Sequence, residues 1–223
     1  MSDSITKLYY GKNIDVTFDP KRCIHAAECV NNLPEVFDTS RRPWILTDNA
    51  DAGEVAQVVV RCPTGALHFI RKDGGKPEAA LEKSKVMVMA DGPLYVRGKV
   101  TVMSGDGKLL LEDTRVALCR CGESLNKPLC DNSHLAVGFE DACQFSNTVA
   151  PAETPMAAGS GCLKIVAYEK GPFYLEGDFE IVGVDGDRLF RGGKAYLCRC
   201  GGSHNKPFCD GAHHSKASAS HGN

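Results

Sequence analysis

Two sets of four metal-ligating residues share one spacing in this sequence of 223 residues. Each set reads Cys-x-Cys, then eight residues, then Cys-x-x-x-His. The ligands are Cys119, Cys121, Cys130 and His134 in the first set and Cys198, Cys200, Cys209 and His213 in the second. Three thiolates and one imidazole at fixed intervals suit the first coordination shell of zinc or iron. A disulfide framework makes no use of the histidine, so we interpret both sets as metal sites.

A longer repeat surrounds the two ligand sets. Residues 92–134 align with residues 171–213 without a gap, at an offset of 79 positions. The aligned segments share the sequences Gly-Pro-x-Tyr, Asp-Gly, Leu-Cys-Arg-Cys-Gly and Asn-Lys-Pro. Shared glycines and prolines indicate shared turns. The sequence therefore predicts that a whole fold, and not only a ligand set, is duplicated.

The spacing of the ligands bears on the identity of the metal. Structural zinc sites usually take their ligands in pairs from Cys-x2–4-Cys knuckles, and the Cys-x-Cys pair is tighter than that. Zinc remains the alternative to iron on this argument alone. The complete motif, Cys-x-Cys-Gly-x-Ser-x-Asn-Lys-Pro-x-Cys-Asp-Gly-x-His, resembles the CDGSH iron–sulfur domain of the mitoNEET family. The resemblance implies a [2Fe–2S] cluster held by three cysteines and one histidine in each repeat.

Each repeat departs from the family signature at one position. Ala212 replaces the serine in the second repeat, and Asn132 replaces the glycine in the first repeat. Asparagine is among the non-glycine residues that most often adopt a positive φ, so we expect the turn at Asn132 to be kept. Neither change affects a ligand.

Charged residues beside the ligands are candidates for holding the cofactor. Asp131 and Asp210 follow the third cysteine of each set and are predicted to cap the helix that presents the histidine. Two ferric ions, two sulfides and three thiolates give an oxidised cluster a net negative charge. Lys127 and Lys206 lie near the ligands in sequence and are predicted to offset that charge, although such lysines are as often simply solvated.

The mixed ligand sets have two chemical consequences. An imidazole in place of a thiolate removes negative charge and raises the reduction potential. The same histidine can be protonated, so acid competes with the metal for it. The arginines between the first two cysteines, Arg120 and Arg199, are further candidates for offsetting the charge of the cluster.

A third set of cysteines lies in the N-terminal part of the chain. Bacterial ferredoxins use Cys-x2-Cys-x2-Cys with a distant Cys-Pro. Here Cys23, Cys29 and the Cys62-Pro63 pair are present, but Ala26 occupies the middle ligand position. Residues 7–70 resemble the divergent single-cluster ferredoxin domain that is often found beside CDGSH domains. The shared sequences are Cys-x-His-Ala, Arg-x-Pro-Trp and Cys-Pro-x-Gly-Ala-Leu.

Three cysteines leave the type of this third cluster open. A [3Fe–4S] cluster is the simplest expectation. A [4Fe–4S] cluster would need a fourth ligand, for which His25, a water-derived ligand and Cys143 are candidates. A ferredoxin-like shell that has lost its cluster is the remaining alternative. A lone histidine such as His25 is more often structural than a ligand, and we interpret Cys143 and Cys162 as ordinary small residues.

Local patterns indicate where the supporting elements lie. Alternating apolar residues around Gly11-Lys12-Asn13 predict a hairpin over residues 5–20. Asp51-x-x-Glu54 predicts a capping box for a helix over residues 51–61, and a strand is predicted over residues 66–71. Residues 85–118 and 164–197 are each predicted to form two or three short strands. The predicted domains are a divergent ferredoxin-like domain (1–72), a first CDGSH-type domain (80–141), a linker (142–161), a second CDGSH-type domain (162–216) and a disordered tail (217–223).

Composition excludes several classes of protein. A net charge of −2 gives no reason to expect nucleic acid or an anionic membrane as a partner. No apolar run approaches the roughly 18 residues of a membrane span, and the N-terminus lacks the features of a signal peptide. Nine of the eleven cysteines fall into metal-type spacings, so we expect a reducing, cytoplasmic location. No Ser/His/Asp grouping, phosphate loop or flavin motif suggests an enzyme.

These observations lead to one expectation for fold and function. The fold class is α+β, with the N-terminal domain followed by two β-rich domains that pack as an intramolecular pseudo-dimer, so that the chain is a monomer with internal pseudo-two-fold symmetry. The predicted function is single-electron transfer with two [2Fe–2S] clusters and one [3Fe–4S] cluster, between redox partner proteins that the sequence does not identify. A carrier that passes its clusters to acceptor proteins, or a redox sensor, is the alternative. A structural zinc module is the weaker one.

Overall fold

The computed structural model describes residues 6–143, 148–154 and 161–215. The chain divides into two compact units, residues 1–79 and residues 80–223, and the described part consists mostly of strands with few helices. The predicted disordered tail lies outside the described residues, as do residues 144–147 and 155–160 of the predicted linker.

Unit 1 contains a three-stranded antiparallel sheet. Its strands are β1 (Lys7–Tyr9), β2 (Ile14–Phe18) and β3 (Leu67–Arg71), in the order β1-β2-β3. The side chains of Ile14 and Val16 are buried. The predicted hairpin and the predicted strand before Lys72 are both confirmed.

Short helices cover one face of this sheet. They are α1 (Glu28–Asn32), a 3₁₀ turn (Thr47–Asn49) and α2 (Ala52–Val59). The predicted capping box of α2 is present, because Gly53 N donates to the Asp51 carboxylate at 2.7 Å and Asp51 N donates to Glu54 at 3.2 Å. The core between helices and sheet contains Val36, Phe37, Ile45, Val55 and Val59, all at most 1% exposed.

Unit 2 contains two copies of a three-stranded antiparallel arrangement. The first repeat supplies β4 (Ser84–Val88), β5 (Leu94–Ser104) and β6 (Leu109–Leu118), followed by the short helix α3 (Ser133–Ala136). The second repeat supplies β7 (Cys162–Ala167), β8 (Phe173–Val182) and β9 (Arg188–Leu197). Each strand of the second repeat corresponds to a strand of the first at the offset of 79 residues.

Strands of the two repeats also pair with each other. β4 pairs with β8 and β5 pairs with β7, in both cases in parallel. The two registers are equivalent, since Val86 lies opposite Ile181 and Ile165 lies opposite Val102. One apolar core contains side chains from both repeats, among them Val96, Val116, Leu175 and Phe179. The two repeats therefore form one sheet system with one core.

A glycine allows each central strand to change partners. Along one edge, β5 pairs with β4 up to Arg97 and with β7 from Lys99 onward, and Gly98 lies between the two with φ of 143°. A Cβ at this position would overlap Ser84 of β4. A side chain there would therefore push β4 away from β5 at the point where β5 changes partners.

Candidate metal centres

The three cysteines of the first centre are held at the end of β6. Cys119 N donates to the Pro128 carbonyl at 3.0 Å, and Cys130 N donates to the Ala117 carbonyl at 2.9 Å. The intervening loop is closed by Ser124, whose Oγ donates to the Leu129 carbonyl at 2.6 Å. These bonds bring the third cysteine back beside the first.

The second centre has the same backbone scaffold. Cys198 N donates to the Pro207 carbonyl at 2.8 Å, and Cys209 N donates to the Tyr196 carbonyl at 2.9 Å. Ser203 Oγ donates to the Phe208 carbonyl at 2.7 Å, as Ser124 does in the first centre. The duplicated sequence thus produces a duplicated ligand scaffold.

The ligands of each centre form two pairs. In the first centre the Sγ atoms of Cys119 and Cys121 are 3.7 Å apart, and Cys130 Sγ lies 3.4 Å from His134 Nδ1. In the second centre the corresponding separations are 3.9 Å and 3.4 Å. Among the residues that the structure describes, no three His, Cys, Asp or Glu side chains converge on a single ion position. The four ligands of each centre are thus arranged as two pairs.

Asp131 fixes the relation between the third cysteine and the histidine. Its Oδ1 accepts from Ser133 N at 3.0 Å, and its Oδ2 accepts from Leu125 N at 2.8 Å. The N-cap of α3 is Asn132, not Asp131, so the predicted capping role is wrong in that detail. The carboxylate instead ties the first turn of α3 to the cysteine loop. Asp210 does the same in the second centre, accepting from Ala212 N at 3.0 Å and from the backbone N of His204 at 2.8 Å.

The turn before each histidine is left-handed in both repeats. Asn132 has φ of 73° and Gly211 has φ of 88°. The prediction that asparagine keeps this turn is confirmed. The turn lies between each histidine and the cysteine four residues before it, and the two side chains meet there.

Burial raises the pKa of the cysteine thiols. The pKa of Cys130 rises to about 11, because burial and then the charges of Cys119 and Cys121 disfavour its thiolate. Burial also raises the pKa of Cys209. Such thiols hold their protons at neutral pH unless a cation displaces them, which a bound metal does. The donor sets therefore fit a metal-containing group whose positive charge offsets the thiolates.

The histidine ligands are shifted toward the neutral form. Burial lowers the pKa of His134, and Arg120 lowers it further. Burial lowers the pKa of His213, and His214, whose ring centroid lies 4.1 Å away, adds to the effect. A neutral imidazole is the form that binds metal, so both shifts favour ligation.

The two centres differ in their exposure to solvent. All four ligands of the first centre are buried, including His134 with 8% of its surface exposed. In the second centre only Cys198 is buried, while Cys200, Cys209 and His213 are partly exposed. The second centre is therefore the more open to water, acid and acceptor proteins.

The basic residues that lie near the ligands in sequence differ in their exposure to solvent. Lys127 is exposed, and the amino group of Lys206 donates to the Ser203 carbonyl at 2.7 Å. Their predicted contact with a cofactor stays a prediction. Arg120 and Arg199 are both buried, with 1% and 9% of their surfaces exposed.

A direct backbone contact joins the two centres. A Cβ built on Gly122 would lie 2.8 Å from the Cys200 carbonyl oxygen, and one on Gly201 would lie 2.5 Å from that of Cys121. The glycine after each Cys-x-Cys pair thus packs against a ligand residue of the opposite centre. Sequence reasoning did not identify this role, although a glycine repeated at the same place in both copies was the available signal.

Unit 1 brings its three cysteines to one cavity. Cys23, Cys29 and Cys62 line a cavity of about 480 Å³. Burial raises the pKa of Cys29 to about 11, with further contributions from the charges of Cys62 and Cys23. Buried Arg22 links the two cysteine segments, because one Nη donates to the Thr64 carbonyl at 2.6 Å. The three cysteines predicted to share a site therefore line one cavity.

The other candidate ligands lie in different surroundings. His25 is exposed and lines the same cavity, as does Ala26 at the middle position of the motif. Cys143 belongs to unit 2, where its Sγ lies 3.6 Å from an Arg120 Nη. Cys162 Sγ lies 3.3 Å from Thr101 Oγ1. The sequence of unit 1 contains no fourth cysteine.

None of the helices in the described residues has the length and apolar character needed to cross a membrane.

The comparisons with known proteins agree with the arrangement of ligand sets. Residues 9–72 match the model of the "Divergent 4Fe-4S mono-cluster" family. Residues 91–135 and 170–214 each match the "Iron-binding zinc finger CDGSH type" model.

Two curated relatives match part of this chain. The "Uncharacterized protein YjdI" of Escherichia coli strain K12 is 38% identical over 66 residues, which cover 30% of this chain and 87% of that protein. The protein of the same name from Escherichia coli O157:H7 matches with the same identity and coverage. No solved structure is significantly similar.

Proposed function

We propose, from the premise that this chain belongs to the CDGSH iron-binding family and begins with a divergent 4Fe-4S mono-cluster domain, that it transfers single electrons. The proposal assigns a [2Fe–2S] cluster to each repeat of unit 2 and a [3Fe–4S] cluster to Cys23, Cys29 and Cys62. The pairing of ligands in each repeat is the observation that carries it. When bound, such groups supply a reversible one-electron acceptor at each centre.

The protein around the centres suits rapid electron exchange. The cysteine loops are fixed by backbone hydrogen bonds on a shared sheet, so the ligands need little rearrangement when the charge changes. Gly122 and Gly201 bring the ligand backbones of the two centres into contact. A pair of centres joined in this way, together with a third centre in the same chain, supports a relay more directly than a store of clusters.

A cluster carrier is the second candidate. The partial exposure of Cys200, Cys209 and His213 favours release from the second centre. Transfer of iron and sulfide to an acceptor protein faster than spontaneous loss would support this role. None of the eleven cysteines forms a disulfide, which supports our proposal of a reducing, cytoplasmic location. We propose no enzymatic activity.

We expect the anaerobically purified chain to contain two [2Fe–2S] clusters and one cuboidal cluster. Iron and acid-labile sulfide should correspond to all three centres, and electron paramagnetic resonance should show an oxidised-state [3Fe–4S] signal and, after dithionite, [2Fe–2S] signals. Cys62→Ser should abolish the cuboidal signal and leave the other two.

The outcomes separate the parts of this proposal. If Cys62→Ser retained every signal, the third cluster would have to be removed from the proposal. A dithionite-reducible signal of the [4Fe–4S] type would show that unit 1 uses a fourth ligand other than cysteine. Stoichiometric zinc in a colourless protein would contradict the proposed function as a whole.

We also propose that the two repeats form an intramolecular pseudo-dimer, so that no second chain is needed. The equivalent parallel pairs β4–β8 and β5–β7 and the joint core support this. A protease site inserted within residues 155–160 should be cut without separating the halves, because both pairs and the core would hold them. Size-exclusion chromatography of the cut protein should show one species with the mass of a single chain. Separation of the halves, or a mass of two chains before cleavage, would contradict this proposal.

A further inference from the structure

Arg199 is a buried cation at the contact between the two centres of unit 2. It lies between Cys198 and Cys200 in the second repeat, and 9% of its surface is exposed. Gly201, two residues after Arg199, packs against the backbone of Cys121 in the first centre. Arg199 therefore belongs in sequence to the second centre and lies two residues from the backbone contact with the first centre.

The described partners of Arg199 leave its guanidinium incompletely satisfied. One Nη donates to the Tyr168 carbonyl, and the group lies 5.5 Å from the centroid of the Phe173 ring. Its buried Nε has no hydrogen-bond partner among the residues that the structure describes. Burial lowers the pKa of Arg199, and the charges of Cys119 and of exposed Glu169 act in the opposite direction. This N–H is available to donate to an acceptor that the protein chain does not supply.

The equivalent arginine of the first repeat is fully satisfied by the protein. Arg120 donates from Nε to the Gly92 carbonyl at 2.9 Å and from one Nη to the Asp141 carboxylate. At the offset of 79 residues, Asp141 corresponds to Ser220 in the sequence. The positive charge of Arg120 is thus paired with a carboxylate, whereas Arg199 makes no ion pair among the residues that the structure describes.

We propose that Arg199 is the electrostatic partner of the first centre and raises its reduction potential from the opposite repeat. The inference rests on the proposed function, because a negatively charged cluster bound at Cys119 would supply the missing acceptor. A cation beside a cluster stabilises the reduced form, which carries the greater negative charge. Each repeat would then contribute to the potential of its neighbour, and the relay would depend on both being present.

The test measures the potential of the first centre alone. A His213→Cys background gives the second centre an all-cysteine ligand set, with a different spectrum and a lower potential. In that background, Arg199→Met should make reduction of the first centre about tenfold less favourable, which is a shift of about −59 mV for one electron. Arg199→Lys should retain most of the potential, since it keeps the charge. Arg188→Met is the matched control, because it removes a cation of the same repeat whose side chain is 57% exposed.

The proposal is overturned if Arg199→Met shifts only the second centre, or shifts the first no more than Arg188→Met does. Absence of any reduced signal from a three-cysteine, one-histidine centre in the unsubstituted protein would instead count against the proposed function. If Arg199→Met does not retain its clusters, the protein is labelled with ¹⁵N in the arginine guanidinium groups. Pulsed electron paramagnetic resonance then measures whether this ¹⁵N couples to the first centre. A ¹⁵N coupling at the first centre that disappears in Arg199→Lys supports the proposal. A coupling that is absent, or that persists in Arg199→Lys, overturns it.

Discussion

Replacing His213 with cysteine is expected to slow the acid-induced loss of the second cluster by roughly tenfold, the scale on which changes around a metal alter its binding. Burial holds the pKa of His213 below 6.5, so ligation is secure above that pH and is lost as acid reaches the lowered value. Protonation of the coordinating nitrogen removes it from the metal. A cysteine thiolate on iron is protonated less readily, and the same substitution should lower the potential of that centre.

The decay of visible absorbance at mildly acidic pH is the measurement. For the two centres of unit 2 in the unsubstituted protein we expect two phases, with the faster one from the second centre because three of its four ligands are partly exposed. His213→Cys should slow the fast phase, and His134→Cys should slow the other. His204→Ala is the matched control, since this exposed histidine contacts Asp210 and is not a ligand. Unchanged decay in both cysteine variants would show that the histidines are not the ligands that fail in acid.

Much of the site could be predicted from the sequence because its determinants are local. The ligand spacing, the left-handed turn at Asn132 and the capping box of α2 each depend on a few consecutive residues. The structure confirms the turn and the capping box, and the family models confirm the class of site. The hairpin of β1 and β2 was predictable for the same reason.

Other features depend on contacts that no local pattern specifies. The exchange of partners at Gly98 requires two strands that are distant in sequence, so alternation within β5 gives no indication of it. The burial of Arg199 depends on its contacts with Tyr168 and Phe173. The exposure of Lys127 likewise depends on tertiary packing. Sequence reasoning gave the lysines and arginines similar roles because all of them lie within a few residues of the ligands.

Gly122→Ala and Gly201→Ala are expected to destabilise unit 2 and to loosen the centre opposite each substitution. Both glycines have positive φ, 92° and 73°, which costs a residue with a Cβ about 1–2 kcal/mol. The new methyl group would also press on a ligand residue, because a Cβ at position 122 would lie 2.8 Å from Cys200 O and one at position 201 would lie 2.5 Å from Cys121 O. Overpacking of this kind costs a further 1–3 kcal/mol, roughly.

Two other glycines separate the strain from the contact. Gly107 and Gly186 both have φ of 88°, and nothing lies within 4 Å of a Cβ at either position. Gly107→Ala and Gly186→Ala should therefore show only the backbone strain, as a small decrease in the midpoint of denaturant unfolding. Gly122→Ala should lower that midpoint further and speed the loss of cluster from the second centre, because Cys200 belongs to it. Gly201→Ala should do the same to the first centre through Cys121. If Gly122→Ala and Gly201→Ala matched the two control variants in both measurements, the contact between the loops would contribute nothing to either centre, and a relay through it would lose its structural basis.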